Sequence, residues 1–235
     1  MFAMDSQTPT DEQLYTKIYH SYINVNSSES TVENYTKLAE DYEKDFVGLG
    51  YETPLVVAQT ALKYLAGEKT SLAILDVACG TGLVAEGLRK EGFEGDIDGI
   101  DGSSGMINIA KAKDKLYRDL RVAFIVPNEP MPYSDNMYDG IVVSGGFGPG
   151  HLMPESLGEL VRITKRGGVI VFATRYNKQA GEYLKKLDFA SEEMVKSGVW
   201  KKENVFQTNY FRFDLSAENP NDNALKALVY CFRKC

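Results

Sequence analysis

Apolar residues recur with two periods along this chain, and the switching between those periods outlines a fold. Over residues 32–46, Tyr35, Leu38, Ala39, Tyr42 and Phe46 fall at helical spacing and predict one helix. Thr53 and Pro54 read as the N-cap and first residue of a second helix. Leu55, Ala58, Leu62 and Leu65 form its apolar stripe, and Gly67 its stop. Residues 72–77 are a continuous apolar run of strand length, as expected of a strand covered on both faces. Helices over 83–91, 105–113 and 156–164 then alternate with strands over 96–100, 120–126, 138–143 and 169–174. The loop 127–137 stands where a further crossover helix would fit. This alternation predicts an α/β domain with a doubly wound, mostly parallel sheet.

Beyond Arg175 the pattern changes to a helix over 181–197 and strand-like runs over 200–213 and 227–233, separated by the turn cluster 219–223. Two strands so linked pair antiparallel most readily, which closes a seven-stranded sheet with a C-terminal hairpin. The first 31 residues are polar: a short helix fits residues 14–23, and the Ser/Asn-rich stretch 24–31 reads as a flexible link. The expected organisation is thus a flexible or partly helical segment (1–31) before one domain (32–235). Within that domain, 32–52 forms a cap, 53–177 a ligand-binding core, and 178–235 the terminal helix and hairpin.

Composition narrows the function. The 235 residues are 43% hydrophobic, enough for one full core. With 26 Lys and Arg against 33 Asp and Glu, the net charge of −7 lacks the basic excess that a nucleic-acid footprint requires. No apolar run approaches the roughly 18 residues that span a bilayer, and the opening MFAMDSQTPTDEQ lacks the features of a secretory signal. Three cysteines cannot frame a disulfide network. A soluble, monomeric protein of a reducing compartment is expected, cytoplasmic or also nuclear.

The chemistry concentrates where the first strand enters the next helix. In Asp76-Val77-Ala78-Cys79-Gly80-Thr81-Gly82, the two glycines let backbone approach a ligand closely, and Ala78 stands just ahead of them. Twenty-one residues after Gly80, at the end of the next strand, Asp101 is placed to accept both ribose hydroxyls of a nucleoside, with Gly102 beside it. The loop also fits a dinucleotide fingerprint. Asp76 argues against that, because a carboxylate repels a pyrophosphate and favours an ammonium group. S-adenosylmethionine carries an ammonium, a sulfonium and no phosphate.

These residues resemble motif I of the class I S-adenosylmethionine-dependent methyltransferases. Ile100-Asp101-Gly102-Ser103-Ser104-Gly105-Met106 is similar to that family's ribose-binding strand end and the helix behind it. Met131-Pro132-Tyr133-Ser134-Asp135-Asn136-Met137-Tyr138-Asp139 resembles the stretch before its fourth strand, and Glu159-Leu160-Val161-Arg162-Ile163-Thr164-Lys165-Arg166-Gly167-Gly168 the entry to its fifth. The match extends over residues 32–177. A finer likeness, through Asn34-Tyr35, 39–45, Gly50-Tyr51 and 173–177, is to the methyltransferase-like proteins of the Williams–Beuren region. The resemblance implies a Rossmann-like methyltransferase fold with S-adenosylmethionine as cofactor and S-adenosylhomocysteine as product. The finer likeness brings no established substrate; a small molecule or protein side chain is the expected methyl acceptor. A cofactor-binding scaffold without turnover and an NAD-dependent oxidoreductase are the alternatives.

The family's adenine-binding Asp falls at Pro127, which cannot accept a hydrogen bond through its side chain, so Asn128 and Glu129 become the expected adenine-edge contacts. Met106 either packs under the adenine or belongs to the core. Tyr35 and Tyr42, seven apart, either pack inward or close over the sulfonium as a lid. Ser144 opens the glycine-rich run 144–150 beyond strand four. His151, at its end, is a candidate general base or a solvated loop histidine. Arg175 either anchors an anionic acceptor or pairs with a surface acid. Cys79 lacks an activating base and reads as inert.

Overall fold

In the computed structural model, residues 9–20, 27–127, 129–212 and 224–235 are described. Seven strands form one sheet: β1 Ala73–Val77, β2 Asp96–Asp101, β3 Asp119–Val122, β4 Tyr138–Phe147, β5 Thr164–Tyr176, β6 Trp200–Phe211 and β7 Leu225–Lys234. Their order is β3-β2-β1-β4-β5-β7-β6. The first five are parallel, and β7 runs antiparallel between β5 and β6. The insertion of β7 follows from its side chains. Ala227, Val229 and Cys231 are buried on one face and Tyr230 and Phe232 on the other, whereas β6 alternates with exposed polar residues that suit an edge.

Helices α4 Thr53–Tyr64 and α5 Leu83–Lys90 cover one face of the sheet through Val57, Ala58, Val84 and Leu88. Helices α7 Leu157–Ile163 and α8 Gly181–Lys196 cover the other through Leu157, Leu160 and Leu187. Helix α6 Ser104–Lys111 follows β2. The strand order reverses between β1 and β4, so the crevice at their carboxyl ends is where a ligand fits. The doubly wound sheet and the antiparallel end are as expected, and no regular element occupies the described part of 123–137.

The N-terminal cap differs from expectation. One helix over 32–46 is in fact two, α2 Ser28–Lys37 and α3 Ala39–Gly48, divided at Leu38 (φ −109°, ψ 12°). Helix α2 packs on α6 through Thr36, whereas α3, which also touches α6, carries Phe46 into a cluster with Leu14, Ile18 and Phe211. The serine-rich stretch expected as a link is partly a helix start, since Ser27 and Ser30 form a reciprocal capping box. Before it, α1 Asp11–Ile18 opens on a similar box at Thr10, and the rest of the segment expected over 14–23 lies partly outside the described residues.

Smaller corrections have local causes. Helix α4 begins at Thr53 itself, with Glu52 as N-cap, because the Thr53 hydroxyl donates to the Asn209 carbonyl instead. Strand β3 ends at Val122, short of residue 126. Strand β4 continues to Phe147, with its register broken between Ser144 and Phe147 around Gly145 (φ +69°). The turn 219–223 lies outside the described residues.

The seam between cap and sheet layer rests on Gly105. A Cβ there would stand 2.5 Å from the Thr36 carbonyl oxygen and 3.0 Å from Thr36 Cα, backbone atoms that cannot step aside. Gly105→Ala is therefore expected to lift α2 from α6. Limited proteolysis should cut within residues 27–50 at least tenfold faster, while the thermal midpoint of the sheet falls by only a few degrees.

Candidate active site

The cleft begins at the turn after β1. Ala78 (φ +52°), Gly80 (φ +55°) and Gly82 (φ +98°) all adopt left-handed backbone, folding the chain into a cup before α5. At Ala78 that conformation costs about 1–2 kcal/mol, a strain of the kind that collects at ligand sites. The two glycines have different reasons. Nothing lies within 4 Å of the Cβ position of Gly80, which opens on the cleft. A Cβ on Gly82 would meet Leu116 at 2.9 Å and Tyr117 at 3.1 Å, so that glycine serves packing and does not line the cleft.

Asp101 ends β2 with both carboxylate oxygens engaged. Oδ2 accepts from the Gly80 N–H and Oδ1 from the Ser103 N–H, each at 2.8 Å. Burial raises its pKa while those two bonds lower it. Ser103 in turn caps α6 by accepting from the Met106 N–H. Asp101, Gly102 and Met106 form the floor of an open cleft.

Helix α2 is the roof. Thr31 donates to the Gly150 carbonyl at 2.6 Å, Ser28 to the His151 carbonyl at 3.3 Å, and the Thr36 and Ser103 hydroxyls are 2.9 Å apart. Tyr35 faces the cleft from this roof and Tyr42 from α3, with ring centroids 5.9 Å apart. A second lobe of about 270 Å³ continues past Tyr42, Ala78, Gly80 and Ser144 to Thr81 and the start of α5. There Thr81 Oγ1 is buried with no hydrogen-bond partner.

The far end of the cleft is aromatic. A Cβ on Gly145 would lie 2.8 Å from the Tyr51 hydroxyl and 2.9 Å from that of Tyr210, so only glycine leaves room for both. Tyr51 also meets Ser144 at 3.1 Å. His151 lines the cleft, with Nδ1 2.9 Å from the Pro149 carbonyl and Nε2 3.4 Å from the Tyr35 hydroxyl. Burial, and then the charge of Arg175, lower its pKa to about 4, so the ring is neutral near pH 7. Arg175 is buried just behind this lining.

Several sequence-predicted contacts lie elsewhere. Asp76 is fully buried beneath the turn, not beside the cleft. Its Oδ2 accepts from the Tyr117 hydroxyl at 2.7 Å and its Oδ1 has no hydrogen-bond partner. Asp76 therefore does not select an ammonium over a pyrophosphate by direct contact in the cleft. Glu129 is exposed and turned away, its N–H closing a turn onto the Val126 carbonyl, while Val32, Phe124 and Ile125 form the wall in its place. Asn128 lies outside the described residues. Cys79 is buried, and burial drives its thiol pKa well above the usual range. Sequence reasoning missed Tyr210 and Tyr51 as partners, since only the pairing of β6 and β7 and the fold of the cap bring them together. Among the described residues no metal-ligand cluster occurs and no helix is long and apolar enough to cross a membrane.

The strand order, the glycine turn and the acidic strand end are those of the class I methyltransferase fold. The methyltransferase-domain family model matches residues 74–168. Human methyltransferase-like protein 27 is 34% identical over 167 residues, 71% of this chain and 66% of that protein. The chain is similar to the methyltransferase family and, in this relative, to its Williams–Beuren-region branch, and that family implies S-adenosylmethionine as methyl donor. Its match spans just under two thirds of the human relative's length. Two solved structures share the fold: a Haloferax volcanii methyltransferase in complex with its Trm112 activator (TM-score 0.63, 18% identity, 86% of this chain and 97% of that one) and the [4+2]-cyclase SpnF (TM-score 0.63, 15% identity, 89% and 97%).

The isolation of Asp76 has a pH signature. Burial is the main cause raising its pKa from 3.8 to about 7, with Asp101 adding to it and the Tyr117 hydroxyl and Ala85 amide opposing. The folded state then holds this proton more tightly than the unfolded chain, so the group's contribution is full below about pH 4 and is lost as pH rises to about 7. Asp76→Asn removes this dependence. In urea denaturation of the ligand-free protein, the variant should gain on the parent between pH 5 and pH 8, by roughly 1–4 kcal/mol.

Proposed function

We propose that this chain transfers a methyl group from S-adenosylmethionine to a small-molecule acceptor held in the same cleft. The observation that carries this reading is the continuity of three compartments around one turn: the Asp101 floor, the Thr81 lobe and the tyrosine-lined end. The residues fit the cofactor. Asp101 is held by two backbone N–H groups and keeps further lone pairs for ribose hydroxyls, with Gly102 and Met106 below and Phe124 and Ile125 as an apolar wall for the adenine. The unpartnered Thr81 hydroxyl suits the polar aminoacyl end, and the first turn of α5 offers N–H groups to its carboxylate. Asp76 acts from beneath by bracing the loop through Tyr117.

When bound, the cofactor supplies an electrophilic methyl on a sulfonium that departs as a neutral thioether. The protein's share is position and exclusion of water. Tyr35 and Tyr42 close the cleft above, and their ring faces favour a cation below. Neutral His151, directed by the Pro149 carbonyl, offers Nε2 as an acceptor beside Tyr35 and orients an acceptor group instead of carrying a charge. A heteroatom entering with a free lone pair needs no stronger base. The roofed cleft favours a small molecule over a protein side chain. A cofactor-binding protein without turnover is the second reading, favoured by the lack of a carboxylate other than Asp101 among the cleft-lining residues.

Calorimetric titration should give binding of S-adenosylhomocysteine and none of NAD, with Asp101→Ala at least about thirtyfold weaker, in line with the loss of a charge-assisted bond. Isotope-labelled S-adenosylmethionine added with the protein to a cell extract should deliver label to the small-molecule fraction. Binding of NAD alone overturns the methyltransferase reading. Cofactor binding with no labelled product favours the scaffold, and label confined to protein overturns the small-molecule acceptor.

A further inference from the structure

Arg175, just behind the lining of the cleft, is a charged group that neither cofactor binding nor methyl transfer as proposed above accounts for. It stands near the carboxyl end of β5 with 8% of its surface exposed, yet its guanidinium makes no hydrogen bond or ion pair with any described residue. Its nitrogens are not among the side-chain atoms wholly sealed from solvent without a partner, so they keep access to open space. A buried, always-charged group without a counter-ion is unfavourable unless an anion joins it.

The position of the group says which space it faces. A Cβ built on Gly148 would lie 3.4 Å from Arg175 Nη2 and 3.8 Å from His151 Nδ1, so guanidinium and imidazole flank one glycine. Its charge is also felt at Tyr210. His151 and Tyr210 both line the cleft, at the end away from Asp101 and Met106. The groups around the guanidinium do not neutralise it: His151 is uncharged, and burial holds the Tyr51 and Tyr210 phenols protonated.

We infer that Arg175 is the anchor of an acceptor subsite and that the methyl acceptor is a small molecule bearing a carboxylate. The residues lining the cleft include no lysine and no arginine, so the positive charge this end offers is that of Arg175, set just behind the lining beside Gly148 and His151. One planar guanidinium matches a monoanionic carboxylate in a two-point fork, whereas a phosphate dianion calls for more charge than is present. The Tyr51 and Tyr210 hydroxyls, gathered over Gly145, supply donors beside the fork and fix how the rest of the acceptor turns toward the Tyr35–Tyr42 end. This inference rests on the methyltransferase reading, since it takes the remainder of the cleft as occupied by the cofactor.

The test separates the two. Wild type, Arg175→Lys and Arg175→Gln are first titrated with S-adenosylhomocysteine, with near-ultraviolet circular dichroism as the control for folding. Failure of the wild type to bind it sinks the methyltransferase reading. Each protein saturated with S-adenosylhomocysteine is then titrated with acetate, benzoate and octanoate, with their amides, and with inorganic phosphate. At least one carboxylate should bind ten times more tightly than its amide and than phosphate. That preference should vanish in Arg175→Gln and survive in part in Arg175→Lys, with S-adenosylhomocysteine affinity unchanged within about twofold. Equal binding of acids and amides, binding of none of them, a preference for phosphate, or a preference that survives Arg175→Gln overturns the inference. So does a tenfold loss of S-adenosylhomocysteine affinity in both variants, which would assign the guanidinium to the cofactor's own carboxylate. If Arg175→Gln does not fold, Arg175→Lys carries the comparison, since its ammonium keeps the charge and loses the fork.

Discussion

The Asp101 carboxylate is the constraint on which the cleft depends. It accepts one N–H from the turn after β1 and one from the start of α6, and so ties together the carboxyl ends of two neighbouring strands. Each strand end alone is a flexible, glycine-bearing turn. Tied through one carboxylate, both take a fixed spacing, and the floor of the cleft exists before any ligand arrives. Burial works against the charge at this position, and the two amides compensate for part of that cost. The same oxygens that set the geometry keep lone pairs for a ligand, so structure and recognition share one group.

The roof is held differently, and the contrast has a dynamic meaning. Strand contacts in the sheet are backed by two continuous apolar clusters, whereas α2 has one buried side chain, Thr31, and is tied to the cleft chiefly by hydroxyls of Ser28, Thr31 and Thr36. Elements with few buried apolar contacts open at lower free energy than the core beneath them. The break at Leu38 decouples this lightly held helix from α3, which is anchored by Phe46.

Much of the sheet was legible because its signals are local: a buried strand, a tight turn and a helix follow one another within about ten residues around Gly80, and Asp101 sits at the next strand's end. The same holds for the antiparallel end, where a turn-rich link between two apolar runs leaves few topologies. What escaped the sequence was non-local. Tyr51 and Tyr210 are 159 positions apart and meet only because β6 folds back beside the cap. The orientation of Asp76 is hidden from the sequence for a related reason. A carboxylate one step before a strand's last residue points to one face or the other according to the pleat, and here Tyr117, from a later connection, claims it on the covered face. Gly82 owes its glycine to a left-handed backbone and to the room it leaves Leu116 and Tyr117, a contact that no local pattern reveals.

Net charge proves a poor guide to the field inside such a cleft. The chain carries seven more acids than bases, yet of the two acids at the loop Asp76 is masked by burial and a tyrosine and Asp101 is held by two amides, while at the far end of the cleft a cation, Arg175, has no partner among the described residues. Surface acids outnumber bases without reaching the crevice, because low-dielectric walls and short range make the nearest groups decisive. A single guanidinium among neutral rings can therefore set the sign of what enters an acidic protein. Its strength comes from the same burial that makes Asp76 hard to ionise: removing water raises the cost of an isolated charge and raises equally the reward for supplying its counter-ion.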